Sequence, residues 1–183
     1  MSSIKTLHKI KFYGITAKKK FGQNFIFDEN ILSKIVQKSQ INEKINVLEI
    51  GPGPGGLTQE ILKANINQVY VVEKDKELSP ILNDIKKIFP NKLNIIYEDA
   101  LNFDIKMLNN FPFKIISNLP YNISTVLLIK WLTSDICNTT CLSLTLMFQK
   151  EVADRIVAKT GSSKRSRISL ISELYTNPKL VLN

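Results

Sequence analysis

Four of the chain's seven glycines, Gly51, Gly53, Gly55 and Gly56, fall within six residues, in the string Glu49-Ile-Gly-Pro-Gly-Pro-Gly-Gly-Leu57. The string follows a β-rich run, Asn46-Val-Leu-Glu-Ile50, and precedes a helical pattern from Leu57 to Ala64. Glycine lets backbone turn tightly and approach a ligand where a Cβ would clash. Glu73 ends the next β-rich run, Val69-Tyr-Val-Val-Glu73, 22 positions after Gly51. A strand, a glycine turn, a helix and an acid at the tip of the next strand together describe a site for ribose hydroxyls. The competing explanation is a tight structural turn beside an exposed Glu.

The rest of the chain repeats the alternation. Ile31, Leu32, Ile35 and Val36 mark one face of a helix that Asp28 can cap. Further strands are predicted at Leu93–Tyr97, Phe113–Ser117, Leu142–Phe148 and Lys179–Leu182. Helices are predicted at Leu78–Phe89 with Pro80 in the first turn, from Ser124 as cap to Leu132, at Glu151–Ala158 and at Ile168–Tyr175. Strands alternating with helices argue an α/β fold, a parallel doubly wound sheet covered on both faces. At 183 residues this is one domain, 18–183, preceded by a basic arm, 1–17. Lys5, Lys9, Lys11, Lys18, Lys19 and Lys20 all precede the first carboxylate, Asp28.

Charge and composition narrow the chemistry. The net charge of +9 points to an acidic partner, nucleic acid before an anionic membrane surface. No apolar run approaches the roughly 20 residues of a transmembrane helix. The two cysteines, Cys137 and Cys141, and the single His8 cannot build a four-ligand zinc site, so no metal is expected. Gly56 is followed by Leu57 where a P-loop needs Lys and then Ser or Thr. A dinucleotide survives the glycine spacing. Glu49, however, puts an acid just ahead of the loop, which suits a cationic ligand better than a pyrophosphate. S-adenosylmethionine carries an ammonium and a sulfonium and no phosphate. Asp99, in Tyr97-Glu-Asp-Ala100, ends the third strand, placed to accept from an adenine's exocyclic amine.

The fourth strand runs into Ser117-Asn-Leu-Pro-Tyr-Asn-Ile-Ser-Thr125. Asn118 offers a side-chain carbonyl, Leu119 a backbone carbonyl, Pro120 a fixed backbone direction and Tyr121 a face on which a base can stack. Two acceptors holding the hydrogens of a ring amino group can localise its lone pair toward an incoming methyl. A proline turn that merely stops the strand is the alternative. Trp131 reads as core. The basic loop with Lys159, Lys164, Arg165 and Arg167 reads equally as a solvated surface or a phosphate contact.

Taken together, these strings resemble the rRNA adenine N6-dimethyltransferases, on the side of those that act on two adjacent adenines of small-subunit rRNA. The matching pieces are Lys19-Lys-Phe-Gly-Gln-Asn-Phe25, Leu48-Glu-Ile-Gly-Pro-Gly53 and the glycines after it, Val72-Glu-Lys-Asp75, Glu98-Asp-Ala100, Asn118-Leu-Pro-Tyr-Asn-Ile-Ser124 and Met147-Phe-Gln-Lys-Glu-Val152. They recur in order from about Lys18 to Tyr175. The resemblance implies a Rossmann-like methyltransferase sheet. It implies S-adenosylmethionine held by Asn24, Ile26, Gly51, Glu73, Asp99 and Asn118, with Gln23 to Phe27 as a lid. It implies catalysis at Asn118, Leu119, Pro120 and Tyr121, and a monomer acting in the cytoplasm on rRNA of a pre-ribosomal particle. Family members continue past this length with a Phe between prolines, an antiparallel strand and a small helical domain. The expected architecture is therefore truncated near its sixth strand, without the C-terminal helical domain. Ser166-Arg-Ile168 departs from a Tyr-Gly-Arg-like family string. The alternatives are a large-subunit rRNA adenine dimethyltransferase, a non-catalytic RNA-binding or assembly remnant, and an NAD-dependent dehydrogenase.

Overall fold

The computed structural model describes residues 10–16, 22–108, 112–135 and 140–182. His8, Lys18, Lys19, Lys20 and Cys137 lie outside them. Five strands, β1 (Asn46–Ile50), β2 (Val69–Glu73), β3 (Leu93–Tyr97), β4 (Phe113–Asn118) and β5 (Cys141–Met147), form one sheet in the order β3-β2-β1-β4-β5. Every neighbouring pair is parallel. Helices accompany them, among the described residues α1 (Glu29–Lys38), α2 (Gly56–Lys63), α3 (Ser79–Ile88), α4 (Ser124–Leu132), α5 (Lys150–Ile156) and α6 (Arg167–Tyr175).

Alternation along the strands sorts the core into two layers. Val47, Val69, Val71 and Ile116 face α1, α2 and α3, meeting Leu32, Ile35, Ile61, Leu82 and Ile85. Leu48, Ile50, Val72, Phe113 and Ile115 face the other way, onto Leu127 and Trp131 of α4 and onto Phe103, Ile105 and Leu108. β1 is buried at every position, as a central parallel strand with both faces covered must be. Asp28 caps α1, its carboxylate accepting from the N–H groups of Asn30 (2.9 Å) and Ile31 (3.2 Å). Pro80 sits in the first turn of α3, where its missing N–H has no intrahelical partner to lose.

Three expectations change. Lys179–Leu182 is in no strand, so the sheet ends at β5; Leu182 instead packs against the first core layer. A strand needs a partner's backbone ladder as well as apolar residues, and β5 does not pair with this segment. Ser124 is the first residue of α4 rather than its cap, and its hydroxyl donates to the Tyr121 carbonyl at 3.2 Å. Residues 10–16, read with the basic arm, are packed on the body. Ile15 is buried, and the Tyr13 hydroxyl donates to Asp84 of α3 at 3.0 Å.

The glycine turn is built into the core around it. Gly55 has φ +80°, and a Cβ there would lie 2.2 Å from Cδ1 of Ile85, itself fully packed in the first layer. Gly161 has a similar φ of +88° with no described atom within 4 Å of a Cβ. The left-handed backbone costs a side chain about 1–2 kcal/mol at either position; overpacking adds about 1–3 kcal/mol at Gly55 alone. Urea unfolding should show Gly55→Ala losing roughly 2–5 kcal/mol and Gly161→Ala about 1–2 kcal/mol. Ile85→Val should recover part of the Gly55→Ala loss. Equal losses at the two glycines would contradict this packing.

Candidate active site

The strand order reverses between β1 and β4. The chain builds outward from β1 to β2 and β3, then returns to lay β4 on the other side of β1. Such a switch point opens a crevice at the carboxyl ends of the strands. The paired residues of β1 and β4 end at Leu48 and Ile115. Beyond them β1 stays with β2 as far as Ile50–Val72, and β4 stays with β5 as far as Asn118–Met147. One buried side-chain bond spans the parting strands: the Ser117 hydroxyl donates to the Ile50 carbonyl at 2.6 Å. Directly above it, Pro120 lies over Gly51, where a Cβ would come within 3.1 Å of the proline Cγ. The close approach that Gly51 allows is thus to the Asn118–Tyr121 turn.

A cleft of about 350 Å³ occupies the opening. Of the residues singled out in the sequence, Asn24, Ile26, Gly51, Glu73, Asp99, Asn118 and Pro120 line it. Leu119 and Tyr121 do not. The Leu119 side chain is 1% exposed and anchors the turn in the second core layer, which leaves its backbone carbonyl as its only polar offering there. Tyr121 stands beside the mouth, half-buried, its hydroxyl accepting from Nδ2 of Asn24 at 2.8 Å. Val72, Lys74 and Ile123, quoted in the sequence only within longer strings, also line it, as does Leu101, which the sequence did not single out. Among the described residues no group of three or more His, Cys, Asp and Glu is set to hold a metal ion.

Four acidic residues are among the lining, Glu49, Glu73, Glu98 and Asp99. Glu73 is buried at the tip of β2. It accepts from the N–H groups of Asp75 (2.8 Å) and Gly53 (3.3 Å), so it braces the glycine turn. Burial raises its pKa, opposed by those backbone donors. Asp99 accepts from Lys74 Nζ at 2.7 Å and from the Leu101 N–H at 3.0 Å; the Lys74 bond chiefly holds its carboxyl below the ordinary value. Glu49 is 2% exposed, beneath the cleft floor, and accepts from the Thr58 hydroxyl at 2.6 Å. Burial pushes it up to about 8 against the Thr58 bond, with the nearby Glu73 charge adding to the rise. Burial therefore favours the neutral acid at Glu49 over the standing negative charge its sequence position suggested. Cations beside it would favour its ionisation.

The basic loop divides. Lys164 donates to Asp154, and Arg165 to the Ala158 carbonyl and to Glu173, so these two tie the loop to α5 and α6. Lys159 and Arg167 are exposed.

Glu49 makes stability depend on pH. Its folded pKa lies above the ordinary 4.5, so between about pH 4.5 and 8 the folded chain keeps a proton that the unfolded chain has lost. Stability contributed this way is full below the unfolded value and declines as pH rises through the window, by at most about 1.4 kcal/mol per pH unit for one group. Glu73 acts with the same sign. Glu49→Gln, neutral throughout, should show a shallower decline in urea unfolding between pH 5 and 8 and exceed the parent near pH 7.5. Parallel declines would mean that Glu49 is ionised in the fold.

The model of the family described as ribosomal RNA adenine dimethylase matches residues 14–183. The chain is 44% identical over 173 residues to the ribosomal RNA small subunit methyltransferase A of Cereibacter sphaeroides, covering 94% of this chain and 62% of that one. It therefore spans about three fifths of the length of the curated relatives it matches. Among solved structures, a dimethyladenosine transferase from Plasmodium falciparum is 30% identical with a TM-score of 0.63, over 79% of this chain and 50% of that one. The 23S rRNA methyltransferase ErmE is 26% identical with a TM-score of 0.65, over 75% of this chain and 53% of its own. Both share this chain's fold over three quarters or more of its length. With a family model matched over nearly its whole length and a sheet of the matching architecture, the chain belongs to the ribosomal RNA adenine dimethylase family.

Proposed function

We propose that this chain carries the cofactor-binding and methyl-transferring part of an enzyme that moves methyl groups from S-adenosylmethionine to N6 of two adjacent adenines in small-subunit rRNA. One observation carries the reading. An acid-lined cleft and the Asn118–Tyr121 turn face each other across the opening between β1 and β4. Similarity to a small-subunit enzyme at 44% identity, against 26% for a 23S enzyme, favours the small subunit. Among the described residues no helix is long and apolar enough to cross a membrane. The reading assigns the activity to the cytoplasm and to a pre-ribosomal particle, with the chain acting as a monomer.

The lining suits this cofactor. Glu73, Glu98 and Asp99 line the cleft over the buried Glu49, and the one lysine among the lining residues is already bonded to Asp99. Such a surface disfavours a pyrophosphate and favours a ligand with an ammonium and a sulfonium. Glu73 would hold ribose hydroxyls and Asp99 the adenine amine, with Asn24, Ile26, Gly51 and Asn118 completing the set. S-adenosylmethionine supplies an electrophilic methyl group when bound.

The chain's residues act on the other reactant. The target adenine leaves its stack to reach the mouth of the cleft. Tyr121 offers its ring face, and Pro120 fixes the direction of the turn. The Asn118 side-chain carbonyl and the Leu119 backbone carbonyl accept the two N–H bonds of the amino group. That draws its lone pair out of conjugation with the ring and aims it into the cleft. No strong base is required, because the nitrogen's proton becomes acidic once the methyl is attached. Catalysis is therefore positioning and acceptor geometry.

S-adenosylmethionine at a hundredfold excess over its Kd should stabilise the fold by about 2.7 kcal/mol, seen as a rise in Tm. NAD should give none. Glu73→Ala should weaken cofactor binding in calorimetry by roughly 1–3 kcal/mol, the cost of unmet donors. Asn118→Ala should keep the fold and lose methyl transfer to under-methylated small subunits. No thermal shift with S-adenosylmethionine would sink the cofactor assignment. RNA binding without methylation would favour the non-catalytic alternative.

A further inference from the structure

Residues 22–27 cross the open side of the cleft as a strap, and its bonds to the Asn118–Tyr121 turn come chiefly from one residue. The Asn24 carbonyl accepts from Asn118 Nδ2 at 2.7 Å. Its own Nδ2 donates to the Tyr121 hydroxyl at 2.8 Å. Gly22 adds a third, longer bond, its carbonyl accepting from the Tyr121 N–H at 3.4 Å. A Cβ on Gly22 would lie 2.6 Å from Asn122 Oδ1 and 3.0 Å from the Tyr121 nitrogen, so the strap lies directly against the turn. On its other side Phe25 covers Gly53 of the glycine turn.

These contacts decide what the turn can offer a base. A primary amide has a donor end and an acceptor end. With Nδ2 of Asn118 on the Asn24 carbonyl, the end left for an incoming amino group is Oδ1, the acceptor. The flipped amide would set oxygen against oxygen at the strap and offer a donor to a donor. The Tyr121 hydroxyl is tied by the same residue, so the tilt of the stacking ring and the sense of the amide are fixed together. Asn24 is exposed, and solvent-exposed hydrogen bonds add little to stability. What the two bonds provide is geometry.

We propose that Asn24 is a positioning residue for the target adenine: its backbone carbonyl orients the Asn118 amide, and its side chain, the part that Asn24→Ala removes, orients the Tyr121 ring. The inference rests on the function proposed above and adds to it, since Asn24 enters there only as a cofactor contact. Misplacement of reacting groups by about an ångström costs as much as 100-fold in rate.

The test is a double-mutant cycle of Asn24→Ala and Tyr121→Phe, the second of which keeps the ring and removes only the hydroxyl. Methyl transfer to under-methylated small subunits gives kcat and KM. An rRNA fragment with 2-aminopurine at the target adenine reports base uptake by fluorescence. Each single variant is expected to lose roughly 10–100-fold in kcat. The double variant should lose no more than the worse single one. Fluorescence should change alike in all three, and Tm should stay within about 2 °C of the parent. Multiplicative losses in an active parent overturn the positioning role and leave the proposed function standing. A fall in Tm that tracks the loss of activity makes the role structural and also overturns it. A parent that neither methylates nor takes up the base overturns the proposed function, and this inference with it.

Discussion

Past Leu48 and Ile115 the paired residues of β1 and β4 end while each strand continues beside its outer neighbour, and the site depends on that divergence. A parallel sheet whose order reverses must leave its central pair without a crossover above it, because one connection leads to β2 and the other leads to α4. The opening that results is kept from spreading by one buried bond, from Ser117 to the Ile50 carbonyl, and by Pro120 resting on Gly51. The loop after β1 and the loop after β4 then share a wall. A cleft lined by one is necessarily faced by the other.

The polar groups around that cleft are largely engaged with the protein itself. Glu73 holds the backbone of the glycine turn, Lys74 holds Asp99, and Thr58 holds a protonated Glu49. A carboxyl group as deeply buried as Glu49 keeps its proton because the charged form is poorly solvated there. A cationic ligand in the cleft would reverse that preference, which ties the charge of the floor to occupancy above it. The strap from Gly22 to Phe27 connects both walls, touching the glycine turn through Phe25 and the Asn118 turn through Asn24.

Strands were the most legible part of the sequence. Asn46–Ile50, Val69–Glu73 and Leu93–Tyr97 match their predicted bounds, because short apolar runs in a parallel sheet are closed off abruptly by Gly, Pro or charged residues. Most helix ends moved by a residue or two, as ends do where local turns compete with the helix. The segment Lys179–Leu182 has strand composition but lacks a partner in the sheet, and pairing is invisible to composition. At the site, Asn24, Ile26, Gly51, Glu73, Asp99 and Asn118 do converge on one cleft. The raised pKa of Glu49 was not legible, since it arises from burial under the packed α2 and β1, which the Thr58 bond only opposes. Nor were the Asn24 bonds to Asn118 and Tyr121, which join positions more than ninety residues apart.

Amide chemical shifts of the labelled chain during titration with S-adenosylmethionine test the central claim most directly. The account predicts perturbations grouped at Gly51–Gly56, Glu73–Lys74, Asp99–Leu101, Asn118–Ile123 and the strap at 22–26, with the outer edge of β5 and helix α6 silent. Shifts centred on β5 or α6, or a glycine turn unmoved at saturation, would contradict a cofactor site between β1 and β4.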